Sequence, residues 1–391
     1  MFTRTAPMRH ATGLIFDPHP TCYSPKALVF DMERRLTSRN MSLDWIENAN
    51  ANANTEISSH SIQSRFERLK LRYETDLRQN WAEQLESPNQ ILEQLSLAAC
   101  LIELWRDMYG ISPEDQSQSS APFPGFVDIA CGNGILVYVL NMEGYKGSGY
   151  DACRRKSWET FPPDIQSCLH EQAIIPTPFL GAISIQDIGI QIHSGVFPSD
   201  TFIISDHADE LTVWTPILAA LANPSSPLPF FVVPCCSRSL AGSQFRYPSP
   251  NDSAVHVDQQ LQPCSGDLRA LRAAKMREKT ESGFLDSMIG SLTAKTAGVA
   301  EEVGCGVEKA WFRTPGAINM ALIWGRTKAL GGRSQAPGQS AGESLVAARL
   351  GIMEVVEREC LNDGGVQAAA QLWFERVKTL RHANRTQHHT H

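Results

Sequence analysis

Residues 126–151 read FVDIACGNGILVYVLNMEGYKGSGYD, and the order of residue types in this stretch decides the fold. An apolar run of Phe126, Val127 and Ile129 carries one acid, Asp128. The small-residue turn Ala130, Cys131, Gly132, Asn133, Gly134 follows, then an apolar segment over 135–140, then a second short run that ends on Asp151. Strand, tight glycine turn, helix, strand and acid make up the opening unit of a nucleotide-binding α/β fold. Glycine lets the backbone approach a ligand and adopt φ values that other residues resist. The acid after the second strand suits ribose hydroxyls.

Two cofactors compete for this outline. A dinucleotide site uses G-x-G-x-x-G and seats a pyrophosphate on the helix N-terminus. Here Val137 stands where the third glycine would be, and an acid precedes the glycines. An acid there repels a pyrophosphate and suits a cationic, amine-bearing ligand. The pattern therefore favours S-adenosylmethionine over NAD, with the turn facing the amino acid end and Asp151 the ribose. Asp128, Ala130, Cys131, Gly132, Asn133, Gly134, Asp151 and Asp206 are the candidate cofactor contacts. A glycine turn with no ligand is the bland alternative.

A chain of 391 residues exceeds one typical domain, and 42% hydrophobic residues suffice for a sizeable core. Apolar runs are broken before the roughly 18–20 residues a membrane span needs, so no membrane partner is expected. The N-terminal residues lack the apolar core and cleavage site of a signal peptide, although acids are absent before Asp17. Ten cysteines without a C-x-x-C pair suggest reduced thiols, a cytoplasmic location and no metal site. A net charge of −7 argues against general nucleic-acid binding, DNA included. An RNA partner would need a local basic surface.

Residues 1–57 end in an Asn/Ala low-complexity stretch and read as poorly structured. Residues 58–120 read as two helices and a linker, the second helix with Leu92, Leu95, Ala99, Ile102 and Trp105 on an apolar stripe. The catalytic domain is expected over 121–330, with strands over 179–187, 201–206, 229–234 and 318–324. Residues 331–391 read as a linker, a helical segment broken near Asp363, and a tail. Strand ends near the switch point of an open α/β sheet host chemistry, which singles out Asp206–Glu210 and Cys235–Cys236. Arg154, Arg155 and Lys156 beside the turn, and Arg272 and Lys275 on a basic helix over 267–282, are candidate phosphate contacts, with a solvated face as the bland reading.

Two stretches together carry a family resemblance: 126–158, and the segments SDHADELTVW and FFVVPCC over 205–214 and 230–236. They resemble the eukaryotic tRNA (uracil-2′-O-)-methyltransferases that act on serine tRNA. That family has V-D-x-x-C-G-N-G-x-L-V-Y, G-Y-x-G-x-G-x-D followed by R-x-R-K-S-W, N-H-x-D-E-L-T-P-W, and F-F-x-L-P-C-C. Asp206 stands where the family pattern has Asn. The similarity covers roughly residues 90–325 and implies a Rossmann-like class I S-adenosylmethionine-dependent methyltransferase with tRNA as partner. It implies methylation of a uridine ribose 2′-hydroxyl.

Such a transfer needs in-line positioning, and a base or a cation to steer the hydroxyl. His207, Asp209 and Glu210 are the candidate catalytic residues, with His207 the natural base by its ordinary titration range. Acids at a helix start can also merely cap it. Arg313 is a further candidate RNA contact. A methyltransferase for another acceptor, a non-catalytic RNA-binding scaffold, and the need for a helper protein remain open at this level.

Overall fold

In the computed structural model the described residues are 43–45, 59–83, 87–110, 123–182, 191–250, 281–313, 318–326 and 341–388. In chain order they form β1 (Leu43–Trp45), α1 (Ser59–Gln79), α2 (Gln90–Tyr109), β2 (Phe126–Ile129), α3 (Ile135–Met142) and β3 (Gly147–Asp151). Next come α4 (Pro163–Gln166), β4 (Leu169–Ile174), α5 (Thr177–Ala182), β5 (Gln191–His193), β6 (Phe202–Asp206), α6 (Leu211–Ala222) and β7 (Phe230–Val233). The last are α7 (Glu281–Leu285), α8 (Met288–Glu302), β8 (Glu308–Arg313), β9 (Ile318–Trp324), α9 (Ala341–Glu359) and α10 (Val366–His388).

The strands make one nine-stranded sheet in the order β1-β8-β9-β7-β6-β2-β3-β4-β5. Strands β2 to β7 pair in parallel, and β9 runs antiparallel to both β7 and β8. From β2 the chain moves one way through β3 and β4, and from β6 the other way through β7. The switch point therefore lies between the ends of β2 and β6, where an open α/β sheet binds its ligand. This is the Rossmann-like class I methyltransferase arrangement.

Both faces of the sheet are covered, so β6 and β7 bury apolar side chains on both sides. Phe202, Ile204, Phe231 and Val233 point into a core with α2 and α3, centred on Trp105. Ile203, Phe230 and Val232 point the other way, into a core shared with α6 and α10. Close approach of α3 to the sheet comes from the strand side. A Cβ on Gly149 would lie 2.7 Å from Cys131 Sγ and 2.8 Å from Val137 Cγ2. Val137 can thus replace the third glycine of a dinucleotide motif, because β3 carries the glycine instead.

The expected strands at 201–206, 229–234 and 318–324 are present as β6, β7 and β9. The expected strand over 179–187 is corrected: Pro176 and Pro178 start the helix α5, whose Phe179 is fully buried edge-on against Trp214 and Trp373. Residues 183–190 lie outside the described set, as do most of 1–57 and the basic stretch over 267–280. The C-terminal segment is two helices separated at Gly364 and Gly365, both at positive φ.

Candidate cofactor and acceptor cleft

A cleft of about 380 Å³ opens at the switch point. Its floor is the turn after β2. Cys131 N–H donates to Tyr150 O at 2.9 Å, and Gly132 N–H donates to Asp151 Oδ2 at 3.0 Å. Asp151 Oδ1 accepts from Cys153 N–H at 2.9 Å, so this acid fixes the turn and its own loop together. Gly134 sits at φ 74, a left-handed value that starts α3 at little strain for glycine. Asn133 Oδ1 accepts from Ile135 N–H at 3.1 Å, within the first turn of α3.

The segment after Asp151 props the turn from below. Trp158 Nε1 donates to Gly132 O at 2.8 Å and Ser157 Oγ to Asn133 O at 2.8 Å. Ser157 and Trp158 are both buried. Arg155 lines the cleft, whereas Arg154 is exposed near the Trp158 ring and 3.8 Å from Glu159. Lys156 opens a 3₁₀ turn over 156–160. Arg272 and Lys275 lie outside the described residues, and Arg313 ends β8 with its side chain outside them.

At the end of β6, Asp206 accepts from Gln94 Nε2 at 3.0 Å and pairs with His207 Nδ1 at 2.8 Å. Burial alone would raise Asp206. The His207 charge and the hydrogen bonds from His207 and Gln94 outweigh it, and the carboxyl titrates below its usual value. Asp206 is in turn the main cause that lifts His207 to about 9, against opposing burial. His207 is therefore an imidazolium at neutral pH. It is a cation that can donate, with no lone pair to act as base.

Asp209 and Glu210 are tied to two arginines. Arg376 Nε lies 2.9 Å from Glu210 Oε1, and Arg238 Nε lies 3.3 Å from Asp209 Oδ2. Glu210 occupies the N-cap position of α6 and makes no side-chain capping hydrogen bond. The Asp209 carboxylate and the Cys235 and Cys236 thiols offer ligand atoms within 4.8 Å of one another. The arginines on Asp209 already balance its charge, so this corner carries no metal assignment.

Asp128 is buried beneath the turn. Burial first, then the nearby Asp206 and Asp151, hold its carboxyl well above the usual range. Six acids line the cleft, against Arg155, Arg376 and the His207 cation. That set fits a sulfonium with a free ammonium group, which would relieve the crowding of Asp128, Asp151 and Asp206. It fits a pyrophosphate poorly.

Two walls came from parts of the chain that sequence reasoning left out of the site. Helix α2 turns Gln90, Glu93 and Gln94 toward the cleft, and α10 roofs it with Trp373, Arg376 and Val377. Trp373 Nε1 donates to Ile174 O at 3.2 Å, which pins α10 to the end of β4. The signal for α2 was available: three polar residues at i, i+3 and i+4 on a helix whose other faces are apolar.

Residues 57–176 match the family model described as a predicted AdoMet-dependent methyltransferase, the span from α1 through β4. The chain is 43% identical over 403 residues to a tRNA (uracil-O(2)-)-methyltransferase of Aspergillus oryzae, an alignment covering 95% of this chain and 64% of that protein. The Schizosaccharomyces pombe protein of the same name is 33% identical over 279 residues, 69% of this chain and 48% of that one. The Saccharomyces cerevisiae protein of that name is 32% identical over 302 residues, 68% of this chain and 47% of that one. The chain is similar to proteins of this name over most of its own length. Its fold and cofactor class are those of S-adenosylmethionine-dependent methyltransferases. It spans less than two thirds of the Aspergillus relative's length and about half of the yeast relatives'. Among the described residues no helix is long and apolar enough to cross a membrane.

Proposed function

We propose that the protein transfers a methyl group from S-adenosylmethionine to the ribose 2′-hydroxyl of a uridine in tRNA, with serine tRNA as the preferred substrate. The observation that carries this reading is the acid-lined cleft at the switch point, where Asp128, Asp151 and Asp206 crowd together beside a cationic His207. The names of its fungal relatives point to the same acceptor.

Bound in the cleft, S-adenosylmethionine supplies an activated methyl on sulfur. Asp151 would hold the ribose, and the turn over 130–134, with Asp128 and Asp206 beside it, the amino acid end. His207 donates from its Nε2–H to the incoming ribose or its phosphate, a cation role in place of the base that its ordinary titration range suggests. Asp209 and Glu210, held by Arg238 and Arg376, shape the acceptor side. Arg154, Arg155 and Lys156 form a basic rim for the tRNA backbone; Arg272, Lys275 and Arg313 are further candidate phosphate contacts by residue type alone. Charge-assisted contacts of this kind orient phosphate strongly. Free thiols at all eight described cysteines support a cytoplasmic setting. A helper protein would supplement the basic surface of this acidic chain.

The test is incubation of purified protein with labelled S-adenosylmethionine and tRNA from a strain lacking the gene, followed by nucleoside mass spectrometry. The expected product is 2′-O-methyluridine at one tRNA position. Label found only on protein or a metabolite would overturn the reading, and transfer to another nucleoside would redirect it.

A further inference from the structure

We infer that Glu93, on the helix that precedes the cofactor-binding unit, is the group that accepts the 2′-hydroxyl proton; the inference rests on the proposed methyl transfer. Every other acid of the cleft is engaged. Asp206 is held by Gln94 and His207, Asp209 and Glu210 by two arginines, and Asp151 by two backbone N–H groups. Asp128 lies buried under the turn. Glu93 lines the same cleft, and among the described residues its carboxylate makes no hydrogen bond or ion pair shorter than 4 Å.

Its placement is fixed by its neighbours. The adjacent Gln94 reaches Asp206 at 3.0 Å, and Asp206 reaches His207 at 2.8 Å. Glu93 is thereby set beside the imidazolium, and the two interact electrostatically. Gln90, one turn earlier, accepts from Asn133 Nδ2 at 3.2 Å and anchors the helix to the cofactor turn. Helix α2 thus carries a carboxylate to a point between the turn and His207. A base and a cation at one hydroxyl form a complementary pair: Glu93 takes the proton while His207 holds the oxygen.

The step balances. The ribose oxygen forms a bond to the methyl carbon as the carbon–sulfur bond breaks, and its proton passes to a Glu93 oxygen. Positive charge on sulfur is discharged, and Glu93 ends neutral.

Burial raises the Glu93 carboxyl, the His207 charge lowers it in part, and Asp206 adds to the rise. A base tuned upward in this way works nearer to neutral pH than an exposed glutamate does. The charged groups around it are His207 and Asp206 from β6, Asp128 from β2, Asp151 from β3, and Arg155 and Arg376 across the opening.

Glu93→Gln keeps the shape and removes the base. With parent protein active on tRNA, we expect kcat to fall about 100-fold or more, with calorimetric affinity for S-adenosylhomocysteine within about threefold of parent. The acid limb of the kcat–pH profile should vanish. In the protein without ligand, the His207 imidazole followed by NMR should titrate below its parent value, since one acid facing it is gone. Glu93→Asp should restore part of the rate. Unchanged kcat with the parent pH profile would overturn the inference. So would lost cofactor affinity with kcat retained, which would make Glu93 a cofactor ligand. Absence of tRNA methylation by the parent protein would instead remove the proposed function itself.

Discussion

Gly149 is the position at which one methyl group should do most damage. Replacing it with alanine places a Cβ 2.7 Å from Cys131 Sγ, 2.8 Å from Val137 Cγ2 and 2.9 Å from Cys131 Cβ, where ordinary contacts begin at 3.4 Å. Those atoms must retreat by about 0.6 Å, the difference between 3.4 and 2.8 Å. Val137 is fully buried and Cys131 is packed at the cleft floor, so a shift disturbs either the core or the cofactor turn. Overpacking of this kind costs about 1–3 kcal/mol. The reduced freedom of the unfolded chain returns about 0.5–1 kcal/mol. The net loss is about 1–2 kcal/mol, or a fall in Tm of about 3–6 °C for a domain of this size. Because Cys131 belongs to the cofactor turn, affinity for S-adenosylmethionine should fall with stability. Urea unfolding and calorimetry measure both. Pairing Gly149→Ala with Val137→Ala removes one of the clashing atoms, so the double variant should be less destabilised than the sum of the two singles. A Gly149→Ala protein within about 0.5 kcal/mol of parent, with additive behaviour in the double variant, would refute the packing argument.

Trp158→Phe keeps an aromatic ring but removes the N–H bonded to Gly132 O; a loss of about 1–3 kcal/mol by urea unfolding is expected, with weaker cofactor binding by calorimetry. Arg376→Ala leaves Glu210 without its 2.9 Å partner and should speed amide exchange in α10, with a loss of about 1–2 kcal/mol. His207 titrates higher in the folded chain than in the unfolded one, so its pairing with Asp206 stabilises fully below about pH 6.5 and is lost as pH rises through about 9. Its side chain is nearly half exposed, so water limits this term to about 1 kcal/mol. Asp206→Asn should flatten that pH dependence, and NMR should find the His207 titration moved down toward the ordinary range.

The opening unit was legible because its chemistry is local. The turn glycines, Asp128 and Asp151 all fall within the one stretch 126–151, and β6, β7 and β9 are mostly apolar. Strands β4 and β5 gave no such signal. β4 reads LHEQAI, in which His170 and Gln172 are polar and only partly buried and Glu171 is exposed. The segment over 179–187 reads as a strand, but prolines at 176 and 178 commit its described part to a helix. The site was half legible for the same reason. Its floor is contiguous, whereas Glu93, Gln94, Trp373 and Arg376 reach it only through the fold. His207 looked like a base by its ordinary titration range, and only its contact with Asp206 reveals a cation. Ser157 and Trp158 close a recognisable sequence motif, yet their task, holding two turn carbonyls, depends on a chain reversal that no spacing reveals.

The roof formed by α10 carries a consequence for how the protein is made. Trp373 bonds the end of β4 across 199 residues, and Arg376 pairs with Glu210 across 166. The strands and the glycine turn can assemble on the ribosome long before these contacts exist. Until Val366–His388 has been synthesised and docked, the cleft is an open groove with its acids in water. Competence to hold the methyl donor is thus acquired late, and a chain halted before α10 would keep a folded sheet while leaving its cleft unroofed.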